Sequence, residues 1–190
     1  MFRVSPHEIK HLQGAGGELF TSFVDHLIRA EAYASGVPDV EIRTNLKTTE
    51  PDGGVDTQVR VPIPGERTGR FRRPTIWQYK TSSGSKVAAR SEIRKGSYAA
   101  KLIKEGYAYR LCICDELSPR RAEALRHSFA NRIRTIKPGA PEPEIVTADD
   151  LAAWATRFPY AEPDRHDGAS ARYRCTHARE LEHAAAHSPE

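Results

Sequence analysis

Long apolar runs are missing from this chain of 190 residues, and nothing in it approaches the roughly 20 residues that a membrane-spanning helix needs. Met1 to Lys10 hold a proline and an acid but no apolar stretch, which argues against a secretory signal. Cysteine is scarce too. Three residues, Cys112, Cys114 and Cys175, make an odd set that does not suit a disulfide framework and fits a reducing, cytoplasmic setting. No internal repeat is present.

Acids are missing from one region in particular. Between Arg60 and Arg110 there are 13 Lys or Arg against three acids, Glu66, Glu92 and Glu105, while the other residues carry 16 bases and 22 acids. The formal net charge of +4 therefore hides a middle third near +10 and flanks near −6. Such segregation is the footprint of a polyanionic partner, although a solvated basic surface gives the same count.

What is there reads as one domain over 1–159, with enough apolar content for a core, and a polar tail or linker over 160–190. Ser5-Pro6-His7-Glu8 is a capping box, predicting a short helix through Leu12. Leu19, Phe20, Phe23, Val24, Leu27 and Ile28 then recur at helical spacing from Glu18 to about Ala34, stopped by Gly36 and Pro38. Strands are expected at Val40 to Arg43, at Val55 to Ile63 after the turn Pro51-Asp52-Gly53-Gly54, and at Thr75 to Lys80. A helix over Val87 to Glu105 ends at Gly106. Strand Ala108 to Cys114, helix Pro119 to Ile133, strand Glu144 to Thr147 and helix Asp149 to Arg157 follow.

Asp56, Gln78 and Lys80 carry the chemical interest. If their two strands pair as a hairpin with its tip at Arg67-Thr68-Gly69-Arg70, Asp56 falls opposite Lys80 and Gln58 opposite Gln78. All three side chains then share one face at the end away from the tip, about 5 Å apart across the pair. A carboxylate and an amide oxygen at that spacing suit a hard cation, with the lysine reaching the same reacting group. The plainer reading of Asp56 is a strand-start acid satisfying a turn amide, and that of Lys80 an edge-strand charge.

Asp52-Gly53-Gly54-Val55-Asp56 followed by Ile76-Trp77-Gln78-Tyr79-Lys80 resembles the Mrr-type branch of the PD-(D/E)XK nucleases, in which glutamine replaces the acid of the second half-motif. The element order over about 8–158 is similar as well. The resemblance implies an α/β, restriction-endonuclease-like fold, a central mixed β-sheet flanked by helices, and Mg²⁺- or Mn²⁺-dependent cleavage of DNA. It implies Asp56, Gln78 and Lys80 as the core, the Tyr79 carbonyl as a further metal ligand, and an early helical acid in or near the metal site. Glu18 is the expected acid, with Asp25 and Glu31 as rivals; Asp52 is a turn residue or a second ligand. Domains of this kind often form the nuclease end of larger bacterial anti-phage proteins with a separate sensor domain, and a homo-oligomer fits the same picture.

Arg67, Arg70, Arg72 and Arg73 in the loop before the Gln-x-Lys strand, and Ser82, Ser83, Lys86, Arg90 and Arg94 after it, are candidate contacts to DNA phosphates. Each also has a structural reading, as loop solvation, loop formation or helix capping. Cys112-x-Cys114 lies in an apolar strand and is expected to pack rather than bind zinc. A nucleic-acid-binding module without catalysis, and an RNase using the same metal site, are the competing functions.

Overall fold

A computed structural model describes residues 4–12, 14, 17–45, 53–60 and 69–158. Asp52, Arg67, the far end of the strand expected at 61–63, and the tail over 160–190 lie outside the described residues.

Among the described residues five strands form one mixed sheet in the order β1-β2-β3-β4-β5. β1 (Ile42–Thr44), β2 (Thr57–Val59) and β3 (Thr75–Lys80) are antiparallel neighbours. β4 (Ala108–Ile113) and β5 (Glu144–Val146) continue parallel to β3. The chain is thus α/β, with helices on both faces of the sheet.

Strand periodicity sorts the core into two layers. Trp77, Tyr79, Cys112 and Cys114 face a cluster with Phe20, Phe23, Val24, Leu27 and Ile28 of α2 (Gly17–Ala34) and Leu151 and Trp154 of α6 (Ala148–Arg157). Ile76, Tyr109, Leu111 and Ile113 face the opposite way. They pack on Ala89 of α3 (Ala89–Glu92), Leu102 and Ile103 of α4 (Tyr98–Glu105), and Phe129 and Ile133 of α5 (Pro119–Ile136). Burying each Val, Leu, Ile or Phe among them stabilises the fold by about 1.5–3 kcal/mol before chain entropy is counted.

Local signals act where they stand. The Ser5–Glu8 capping box opens α1 (Pro6–His11), and Thr147 with Asp150 forms a second one at α6. Gly106 ends α4 with φ of 103°.

The single helix expected over Val87 to Glu105 is two. After a 3-10 turn at Gly84–Lys86, α3 stops at Glu92, and the chain restarts at α4 with Ser97 accepting from the Ala100 amide. Gly96 between them has φ of 86°, which a helix does not tolerate, and Arg132 of α5 donates to the freed Ile93 carbonyl at 2.8 Å. Val40 is not in a strand: it is 80 % exposed in a 3-10 turn at Asp39–Glu41, so β1 begins at Ile42.

Candidate active site at the end of the central strands

Gly53 and Gly54 bring β2 to its place. Both have positive φ, 65° and 85°. A Cβ on Gly53 would stand 2.8 Å from the Tyr98 Cβ, and one on Gly54 2.9 Å from the Glu92 carbonyl oxygen. The turn therefore presses against the start of α4 and the end of α3, where the Ala99 amide donates to the Gly53 carbonyl at 3.2 Å. Two residues later Asp56 enters the sheet. Its amide donates to the Trp77 carbonyl (2.9 Å), and its own carbonyl accepts from Asn45 (2.8 Å).

The register differs from the symmetric hairpin by two residues. Thr57 pairs with Trp77 and Gln58 with Ile76, and the Asp56 amide still bonds the Trp77 carbonyl, so Asp56 is not opposite Lys80. A slip of two preserves the side-chain alternation, so Gln58, Gln78 and Lys80 still face the α3–α5 layer. The Asp56 carboxylate bends over the end of β2 and accepts the Tyr79 amide at 2.6 Å, where the next ladder bond would have been. In an extended strand the carbonyl of a residue points to the same side as its amide. The Tyr79 carbonyl is therefore directed to the β2 side as well, beyond the point where β2 starts.

Glu92, which the sequence marks only as an acid in a basic segment, completes the constellation. One of its oxygens lies 2.8 Å from the Lys80 ammonium and accepts the Gln78 amide nitrogen at 2.9 Å. The Gln78 amide oxygen accepts the Tyr109 hydroxyl. Gln78 is 5 % exposed and held at both ends, which fixes the orientation of its amide. A second polar bridge lies beside it: Tyr98 donates to Gln58, and Gln58 donates to the Tyr107 hydroxyl, each at 3.0 Å.

Glu18 is not brought into this group. It is exposed on the first turn of α2, on the Trp77–Tyr79 face. The Phe20–Tyr79 ring contact, 6.5 Å between centroids, puts that turn at the Lys80 end of the sheet but on its other side. Of its rivals, Asp25 is the one joined to the motif strand. The Tyr79 hydroxyl donates to Thr57 (2.6 Å), Thr57 to Thr44 (2.9 Å), and Thr44 to Asp25, which also accepts from Arg29 at 2.8 Å. This buried chain anchors the Tyr79 ring whose backbone holds Asp56, and burial raises the Tyr79 phenol well above its usual range. Glu31 instead binds Arg70.

The arginines expected to meet phosphate are divided. Arg70 is held by Glu31 (3.0 Å) and Glu144 (3.1 Å) and lies over the Trp154 ring, so its role is structural. Arg72 is exposed and Arg73 half-buried, both before the start of β3, about 17 Å of strand away from Lys80. Lys86, Arg90 and Arg94 are exposed after β3, on the side of α3. Ser82 is exposed, whereas Ser83 donates to Asp115 (3.1 Å), which also takes the Gly84 amide and so shapes the loop after β3. Cys112 and Cys114 are fully buried; burial pushes the Cys114 thiol up to about 11 and the Cys112 thiol higher.

The donors at this end of the sheet are all oxygens: the Asp56 and Glu92 carboxylates, the Gln78 amide oxygen and the Tyr79 carbonyl. That set suits a hard cation and not a thiolate- or imidazole-seeking metal. Among the described residues no cluster of three or more His, Cys, Asp or Glu could hold an ion. Side-chain acids alone therefore make no complete cage, and amide, backbone or phosphate oxygens would have to fill the shell. Compared with family models, curated proteins and solved structures, the chain matches none. No helix among the described residues is long and apolar enough to cross a membrane.

Proposed function

We propose that the chain is a metal-dependent DNA endonuclease with a restriction-endonuclease-like arrangement of its sheet. The observation that carries this reading is that Glu92 joins Gln78 and Lys80 at the end of β3 where Asp56 takes the Tyr79 amide, beside a basic α3 segment. Phosphodiester hydrolysis needs positive charge around an anionic phosphorus and an oriented nucleophile, and a bound Mg²⁺ or Mn²⁺ supplies Lewis acidity for both.

In this reading Asp56 and Glu92 are the charged ligands, and the Tyr79 carbonyl and the remaining lone pair of Gln78 are neutral ones. Asp56 is held for the task by the Tyr79 amide, and Gln78 by Tyr109. Lys80, tied to Glu92 while the site is at rest, neutralises charge on the scissile phosphate when substrate arrives. Lys86, Arg90 and Arg94 grip the backbone without reading bases.

A specific observation also favours a second reading, a nucleic-acid-binding module without catalysis: Lys80 is already neutralised and Gln78 already committed at both ends. Incubating plasmid DNA and a structured RNA with the chain, in Mg²⁺ or in EDTA, separates the two readings and tests for an RNase. The nuclease reading expects Mg²⁺-dependent nicking of DNA; the silent module expects binding and no product.

A further inference from the structure

At the opposite end of β3 and β4 the surface opens into a cleft of about 420 Å³, bordered by Arg70, Arg72, Arg110 and Arg157 together with Glu31, Glu142 and Glu144. Its charges do not balance. Glu142 is held from outside the cleft by Arg126 (3.4 Å) and Arg134 (2.6 Å). The four lining guanidiniums therefore face two remaining carboxylates. Glu31 and Glu144 are taken by Arg70, and Glu144 also by Arg110. Arg72 and Arg157 are exposed at the rim, and their side chains make no ion pair or hydrogen bond among the described residues.

The floor is built from stacked side chains. Arg110 lies over the Trp77 ring, Trp77 stacks on Trp154 at 5.6 Å, and Arg70 lies 4.4 Å from the centre of the Trp154 ring. Arg110 is 8 % exposed, and its Nε, itself buried beneath the cleft, has no hydrogen-bond partner among the described residues. Burial, and after it the charge of Arg70, lowers the Arg110 guanidinium to about 10, as expected of a cation crowded by others.

We propose that this cleft is a phosphate-binding site, separate from the Asp56 end, in which Arg72 and Arg157 close on a phosphate group above Arg110. Planar guanidiniums recognise phosphate oxygens in pairs, which matches two exposed arginines lining one opening. The phosphate comes from a free ligand, inorganic phosphate or a nucleotide, or from the backbone of a nucleic acid strand. Nothing in this proposal depends on the nuclease reading.

Calorimetric titration of the full chain at low ionic strength tests it, with inorganic phosphate and a 5′-mononucleotide as probes. Parent and Asp56→Asn should bind both probes alike. The double variant Arg72→Gln/Arg157→Gln should bind them at least about tenfold more weakly, since removing even one charge-assisted hydrogen bond costs roughly that factor. Both rim residues are exposed, so the double variant should melt with the parent. The same variants titrated with an unphosphorylated duplex identify the source. A parallel fall in duplex affinity assigns the site to the backbone, and an unchanged duplex affinity assigns it to a free phosphate ligand. Phosphate and nucleotide binding that is undetectable in the parent, or equally tight in the double variant, would overturn the proposal.

Discussion

The Lys80 ammonium lies 2.8 Å from the Glu92 oxygen that also accepts the Gln78 amide. One carboxylate at the end of a four-residue helix thus ties together the two residues of the Gln-x-Lys motif. Glu92→Ala leaves the buried Gln78 donor unsatisfied, which should cost about 1–3 kcal/mol in denaturant unfolding. If Glu92 also serves the metal, Mg²⁺-dependent cleavage should fall by about 10²–10³ under conditions where the variant stays folded. A stability loss with full cleavage would return Glu92 to a purely structural role.

Gln78→Glu sets a second carboxylate against the Glu92 oxygen. Without metal the two negative charges repel, so the variant should melt below the parent. Mg²⁺ should then raise its melting temperature more than it raises the parent's, because ligand binding to the folded state stabilises more as affinity rises. Equal Mg²⁺ shifts in the two proteins would remove Gln78 from the ligand set. Gln78→Leu should lose most of the cleavage.

Gly54→Ala tests how the turn is held. Its φ of 85° and the 2.9 Å approach of a Cβ to the Glu92 carbonyl both oppose a side chain, and together they should cost about 1–3 kcal/mol. Chemical denaturation reads this directly; an unchanged midpoint would mean that the turn is not pressed against α3.

The buried thiols supply a pH test. In a Cys175→Ser variant only Cys112 and Cys114 remain, and burial holds Cys114 near 11 and Cys112 above it. Both are therefore protonated at pH 8 in the folded chain, and unfolding returns them toward the ordinary thiol range. Reaction with an aromatic disulfide reagent at pH 8 should be slow in buffer and fast in guanidinium chloride. Fast reaction of the native variant would contradict the packing of β4.

Much of this arrangement is legible in the residues themselves. The Ser5 cap and the stop at Gly106 are local chemistry, and local chemistry acts wherever it stands. The shared face of Gln78 and Lys80 follows from strand alternation. The register of Thr57 with Trp77, which moves Asp56 away from Lys80, is not legible, because the loop between the strands need not be symmetric about its glycine. The break between α3 and α4 is masked by apolar residues on both sides that serve one core, Ile93 and Ala99 among them, although Gly96-Ser97 marks the spot. The role of Arg70 is hidden for a different reason: its partners Glu31 and Glu144 are distant in sequence, and only the folded sheet brings them to the loop.

Cleavage of supercoiled plasmid by parent, Asp56→Ala and Lys80→Ala, in Mg²⁺ and in EDTA with duplex affinity measured alongside, bears most directly on the central claim. The account predicts that the parent nicks and linearises DNA only with Mg²⁺. Each variant should lose at least about 10²-fold in rate, on the usual scale for removing one stabilising group, while binding DNA within a few-fold of the parent. Metal-independent cutting, or an Asp56→Ala protein that cuts as fast as the parent, would contradict it.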